Sequence, residues 1–374
     1  MDNAPQAISL LGCHIFRNLF TQCPNDNVLV SPHAAMIVVS LLMAGAQRTT
    51  EREMAEALKV KLPQFHTSMR RILVFAPFGN SPAPEEEDSA FRMANRILVN
   101  SNLPLSDSFR KIGQRVYRTL VSPANLARRS AEERRLVNTW AEAITGIKQV
   151  IPPDCPLDGD SRIVLLSSAT LDTLWKFPFP KIPTMRRPFS SWPAVPTMGQ
   201  TATLGYACIE DLGVRAVELP FSSDAYSATI ILPTGKFDDL CVNLTPEVLN
   251  RVFEAVKERQ KVRVEMPRFS ATFEAELTDV LQKLGIHEAF TDEANFRTVT
   301  TTTPVSLTWV LHKVQVGVHE GVTPTVPLLP DPEGSSSAPA PDVVEFLVNK
   351  PFVLCVRKGD ILVLLASIQR VHVP

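Results

Sequence analysis

From about residue 195 onward the sequence is dominated by apolar runs of strand type: "RAVELPF", "SATIILP", "KVRVEMPRFSATF", "SLTWVLHKVQVGV", "VVEFLVNKPFVLCVRK" and "DILVLLASIQRV". One helical stretch, "FEAELTDVLQKLGI", interrupts them. The first part of the chain reads differently. "AISLLGCHIFRNLF" places Ile8, Leu11, Ile15, Phe16 and Leu19 at helical spacing, which predicts an amphipathic helix from the start. Helices first and strands later, with neither βαβ alternation nor a repeat period, predict an α+β architecture with large, mostly antiparallel sheets.

Local signals place several elements. "NVLVSPHAAMIVVSLLMAGA" predicts a short strand and then a helix from Pro32, with Ser31 as its cap. The serine oxygen can accept a free first-turn N–H, and proline has no N–H to lose there. Gly45 closes that helix and "TTEREMAEAL" opens the next. Residues 63–89, with "FAPFGNSPAPEEEDS", read as a surface loop, and "FRMANRILVN" reads as a strand. Ser130 and Glu133 form a capping-box pair ahead of "AEERRLVNTWAEAITG". "RIVLLSSATL" is a continuous apolar run of the kind buried on both faces of a sheet.

Composition narrows the function classes. With 374 residues, 45% hydrophobic and 21% charged, the chain can bury a large core. A formal net charge of −1 gives no electrostatic reason to expect nucleic acid or an anionic membrane. The basic pairs Arg70-Arg71, Arg128-Arg129 and Arg134-Arg135 lie near Glu85 to Glu87 and Glu132-Glu133, and read as solvated surface. Six cysteines, at 13, 23, 155, 208, 241 and 355, form no CxxC pair, so neither a metal site nor a disulfide scaffold is expected. The stretch "AAMIVVSLLMAGA" is shorter than the roughly 20 residues of a membrane span. The N-terminus lacks signal-peptide features, so the expectation is a cytoplasmic protein, with export without a cleaved signal as the alternative. The sequon Asn243-Leu244-Thr245 matters only if the chain is secreted.

Catalytic signatures are missing. There is no GxSxG, GxGxxG, P-loop or HExxH, since His287-Glu288 lacks the second histidine. His14 reads as a surface or core-edge residue, and the three glutamates at 85–87 have no positioned partner. The expectation is a protein that is not an enzyme and carries no cofactor.

A different feature then stands out. "GVHEGVTPTVPLLPDPEGSSSAPAPDVVEFLVNKPF", residues 317–352, places prolines 324, 327, 330, 332, 339 and 341 between two strand-like segments. By composition it is a linker, a tail or a loop exposed on purpose.

The assembled motifs resemble the serpin family from Ile8 to Pro374. "NVLVSPHAAMIVVSLLMAGAQRTT" is similar to that family's N-x-x-x-S-P and G-A-x-x-x-T region, and "MANRILVN" to its A-N-x-L-F-V strand. "LVNTWAEAITGIK" and "RIVLLSSATLDTLWKFPF", with Trp175 and Phe179 in place, follow in order. "VPTMGQ", "AVELPF", "EMPRF", "LGIHEAF", "LHKVQVGVHEG" and "NKPFVLCVR" complete the series. "LLSSATLDTLW", with serine where asparagine is usual, is also similar to some poxvirus serpins, which hints at a viral source.

The resemblance implies one domain over residues 1–374, with three β-sheets, eight or nine helices and an exposed reactive-centre loop at about 320–345. Serpins of the inhibitory type trap a protease as an acyl-enzyme when the cut loop inserts as a new strand in the central sheet. The hinge would be Glu320, Gly321, Val322, Thr323, Pro324, Thr325, Val326 and Pro327. It keeps Glu320 and Thr323 but places Gly321 one position early and replaces the family's alanines with prolines. By family spacing the scissile bond would fall within Ser336, Ser337, Ala338, Pro339 and Ala340. No Lys or Arg lies between Glu320 and Lys350, which points from a trypsin-like toward an elastase-like target. The family's sheet-opening control maps onto Ser31, Ser167 and His312, with Ala34 in place of a second serine. Trp175 falls at the top of the sheet, chiefly as core packing. With Ser167 for asparagine the cluster should be thinner, because a hydroxyl offers one donor where an amide offers two. No heparin-type basic helix is expected, since only Arg70 and Arg71 follow Leu62 before the acids.

Two functions follow. One is a monomeric interaction protein with lost or impaired trapping, its partner another protein met through the 320–345 loop. The other is a working inhibitor of an elastase- or chymotrypsin-like serine protease, with a cysteine protease the less favoured target.

Overall fold

The computed structural model describes residues 4–74, 90–180, 185–223, 225–302, 305–321 and 343–371. The first part of the chain is mainly helical: α1 (Ala4–Gln22), β1 (Val28–Val30), α2 (Pro32–Gly45), α3 (Arg48–Ala57), α4 (Gln64–Val74), β2 (Phe91–Asn100), α5 (Asp107–Arg115), β3 (Leu120–Ala124) and α6 (Leu126–Thr145). Strands dominate from β4 (Ile163–Asp172) through β5 (Met185–Phe189), β6 (Trp192–Ile209), β7 (Val214–Pro220) and β8 (Tyr226–Pro233). Helices α7 (Phe237–Val242) and α8 (Pro246–Ala255) precede β9 (Arg259–Pro267) and β10 (Phe269–Glu276). After α9 (Thr278–Leu284) come β11 (Leu307–Val318), β12 (Val344–Leu347), β13 (Phe352–Lys358) and β14 (Ile361–Ile368). The described residues thus hold nine α-helices, within the expected number.

The apolar stripe expected of α1 is the buried one, with Ile8, Leu11, Ile15, Phe16 and Leu19 all inside. Helix α2 is buried almost all round, which explains its lack of a polar face. Its Ser31 cap forms as expected, the side chain accepting from the Ala34 N–H. Strand β4 is buried along its length except at Asp172, as its unbroken apolar run required.

The strands form two hydrogen-bonded sheets among the described residues. One has five strands in the order β10-β11-β4-β2-β3. The other joins nine, in the order β1-β14-β13-β8-β7-β6-β9-β12 with β5 on β6. The third sheet expected is therefore continuous with the second, because β6 runs unbroken through both. It pairs with β9 up to Gly205 and with β7 from Gly205 onward. A Cβ at Gly205 would lie 2.0 Å from the Val256 carbonyl oxygen, so only glycine fits this handover.

Three local readings are corrected. Helix α6 begins at Leu126, not after Ser130: Asn125 caps it by accepting from the Arg128 N–H, and Glu133 Oε1 accepts from the Asn125 N–H at 2.9 Å. A non-helical Arg129 kinks the helix immediately before Ser130, which is what made the later start legible. Residues 64–74, read within a surface loop, form α4 with Phe65, Met69 and Leu73 buried. "FEAE" belongs to β10, and the helix that follows spans only Thr278–Leu284. Glu85 to Glu87 lie outside the described residues. No helix among the described residues is long and apolar enough to cross a membrane.

Candidate functional site: the seam between β4 and β11

Strands β4 and β11 run parallel and pair directly, from Leu307 with Ile163 to Gly317 with Asp172. At mid-seam His312 pairs with Ser167. The imidazole is buried, and its two nitrogens face opposite demands. Nε2 receives the Ser31 main-chain N–H at 3.0 Å, so it must be the unprotonated nitrogen. Nδ1 then carries the proton and donates to Ser167 Oγ at 3.2 Å. Ser31 Oγ in turn donates to the Val363 carbonyl on β14 at 2.8 Å. Burial pushes the His312 pKa down to about 4, opposed in part by the Ser167 backbone. The ring stays neutral and ties the start of α2 to both seam strands, while the Ser31 hydroxyl ties that start to β14.

Asn95, opposite Ser167 on β2, belongs to the same cluster. Its Nδ2 reaches the Ala34 carbonyl at a long 3.4 Å, and its buried Oδ1 has no hydrogen-bond partner. Ser31, Ser167 and His312 thus come together, with the unpartnered Asn95 Oδ1 beside them.

Trp175 lies apart from them, at the top of the seam. It is buried, with its ring edge-on to Phe179 and Phe221 at centroid distances of 5.9 and 5.2 Å. Its Nε1–H donates to the His319 carbonyl at 2.7 Å. His319 is seven residues beyond His312, about 23 Å along the strand. The same short segment is held repeatedly. The Thr173 N–H donates to the Gly317 carbonyl, the Phe179 N–H to the Glu320 carbonyl, and the His319 N–H to Thr173 Oγ1. Glu320 is buried, with its carboxylate 3.8 Å from Arg268. Gly321 has φ +88, a conformation that favours glycine, and its N–H donates to His319 Nδ1 at 3.1 Å. Of the hinge positions, Glu320 and Gly321 are therefore anchored against the segment after β4. Val322, Thr323, Pro324, Thr325, Val326 and Pro327 lie outside the described residues, as do Ser336, Ser337, Ala338, Pro339 and Ala340.

Sequence reading missed Asn95, Thr173, Arg268 and Val363 in these two clusters. Asn95 carried a usable signal, a lone amide inside an apolar strand run. The others act through strand register, which no local pattern announces.

The family model described as Serpin (serine protease inhibitor) matches residues 6–366. Serpin A3-7 of Bos taurus is 30% identical over 353 residues, covering 91% of this chain and 82% of that protein. Ovalbumin of Coturnix coturnix is 24% identical over 368 residues, covering 92% of each. Among solved structures, uncleaved ovalbumin superposes with a TM-score of 0.84 at 23% identity, covering 98% of this chain and 99% of that one.

Proposed function

The chain belongs to the serpin family of serine protease inhibitors, and from that premise we propose that it acts by binding through the loop at about 320–345, with covalent protease trapping lost or impaired. The family is one of inhibitors rather than enzymes. Trapping requires the segment after Gly321 to enter between β4, which is buried nearly throughout, and β11, which alternates buried and half-buried residues. Such a strand uses its backbone on both edges. Prolines 324, 327, 330 and 332 bring no N–H to either neighbour.

That count of prolines carries the reading. A buried carbonyl left without its donor costs roughly 1–3 kcal/mol, so four cost about 4–12 kcal/mol. An ordinary domain has a net stability of about 5–15 kcal/mol. The penalty also falls during a race, because insertion must outrun hydrolysis of the acyl-enzyme.

The second reading is a working inhibitor of an elastase- or chymotrypsin-like serine protease. It is favoured by the retained Glu320 and Thr323 and by the general length of the loop, and Glu320 is buried.

Incubation with elastase, chymotrypsin and a cysteine protease, read on denaturing gels and by thermal melting, separates the two. The expected outcome is cleavage within 320–345 with no covalent adduct and no rise in Tm. An adduct that survives boiling would overturn the proposal.

A further inference from the structure

The end of α4, the turn between β7 and β8, the β13–β14 hairpin and the stretch after Trp175 surround a cavity of about 890 Å³. That is the size of a small-molecule site. It is distant in role from the seam: its residues make none of the seam's hydrogen bonds through their side chains. Its charge is uneven. Arg71, Lys176, Arg259, Arg357 and Lys358 line it, against the carboxylates of Glu218 and Asp360. Glu218 is already engaged, accepting from Arg357 Nη2 at 3.0 Å and from Ser227 Oγ at 2.8 Å. The cavity therefore carries an excess of positive charge.

Its walls are apolar as well as basic. Ile72, Phe91, Phe177 and Tyr226 contribute surface, and Phe177 is 40% exposed. The Lys358 ammonium sits 5.2 Å from the centroid of the Tyr226 ring. Partial burial holds the Lys358 pKa below its ordinary value, so a neighbouring anion would relieve an existing strain on the charged form. The Arg357 guanidinium lies 4.0 Å over Phe253 and keeps a buried Nε–H with no acceptor. Cations packed on aromatic rings, in a cavity with too few carboxylates, suit an anion carrying an apolar body.

We propose that this cavity binds a small soluble organic phosphate or sulfate ester with an aromatic or aliphatic group. The anion sits among Arg71, Arg259 and Lys358, and the body lies along Phe177 and Tyr226. The proposal is independent of whether the 322–342 loop can insert.

Isothermal titration calorimetry of the full chain with phenyl phosphate and phenyl sulfate tests it, with benzyl alcohol as the neutral comparison. Saturable binding of both anions, weakened by salt, is expected, with none for the alcohol. The double variant R71Q/K358Q should weaken binding at least tenfold. R71Q/R259Q, which changes two exposed side chains, should do the same if the first variant folds poorly. No saturable heat together with no rise in Tm for the wild type would overturn the proposal, and so would equal affinity in the R71Q/R259Q variant. Co-sedimentation with phosphatidic acid vesicles checks the source of the ester. Vesicle binding abolished by R71Q/R259Q would overturn the assignment to a soluble ligand.

Discussion

At the middle of the β4–β11 seam the joining bonds run through side chains, one imidazole and two serine hydroxyls. At its top they end mostly on the main chain of residues 317 to 321, supplied by Trp175, Thr173 and Phe179. The two arrangements respond differently to substitution. A carbonyl at position 319 or 320 is present whatever residue stands there, so sensitivity at the top moves to Trp175. At mid-seam each bond has a particular side chain on at least one end, from His312, Ser31 or Ser167, and one exchange changes the bond count. The bonds to the 319 and 320 carbonyls therefore survive a change of side chain at those positions, whereas the middle can be tuned residue by residue.

The largest effect that would break this contrast is expected at Trp175. Trp175→Ala removes a buried ring packed on two others and should cost about 3–5 kcal/mol in urea denaturation. Trp175→Phe keeps most of the packing and loses the bond to the His319 carbonyl, for about 1 kcal/mol. Equal losses in the two variants would show that the hydrogen bond, not the packing, anchors the top.

The middle should reveal itself through pH. An unfolded histidine takes up its proton near pH 6.5, and folded His312 does so only at about 4. Between those values the unfolded chain binds more protons, so stability rises with pH. The contribution is complete above about pH 6.5 and lost as pH falls to about 4, amounting to about 3 kcal/mol. His33, buried and held at about 3, adds a slope of the same sign. Urea midpoints measured across that window should flatten by about one proton in His312→Gln. An unchanged slope would mean the ring is not buried neutral.

The smallest effect is the most specific. Ser167→Asn places an amide opposite Asn95, whose Oδ1 lacks a donor, and should stabilise the chain by about 1 kcal/mol. A loss of similar size would show that the seam has no room for the amide, and that serine there is a packing requirement.

Much of this frame is legible in the sequence. Ser31-Pro32 announced the start of α2 through capping chemistry, and the apolar run of β4 announced a central strand. The start of α6 was not, because Asn125 and Glu133 pair across a kink, eight residues apart, while Ser130 offered a closer match to a standard motif. Helix α8 was hidden for a related reason. Its cap is Thr245, whose oxygen accepts from the Val248 N–H, yet that residue read only as the third position of a sequon. Ser31, Ser167 and His312 were named correctly as neighbours, but only resemblance supplied their meeting. Asn95 joins them through β-sheet register, a property of the whole fold that no window of sequence contains.

The last strand of the nine-stranded sheet has a consequence for how the protein is made. β14 lies between β1 and β13, and it also packs on α1 and α2. Asn27 closes the same junction by donating to the Arg370 carbonyl at 2.7 Å. Throughout synthesis, then, the first strand emerges without the neighbour it will pair with, and the apolar sides of the first two helices lack one wall. The N-terminal segment cannot finish folding as it leaves the ribosome. It must wait, edge exposed, for β14 to follow. Assembly of this sheet waits on residues 361–368, and a nascent chain stopped short of residue 361 is left with an open edge.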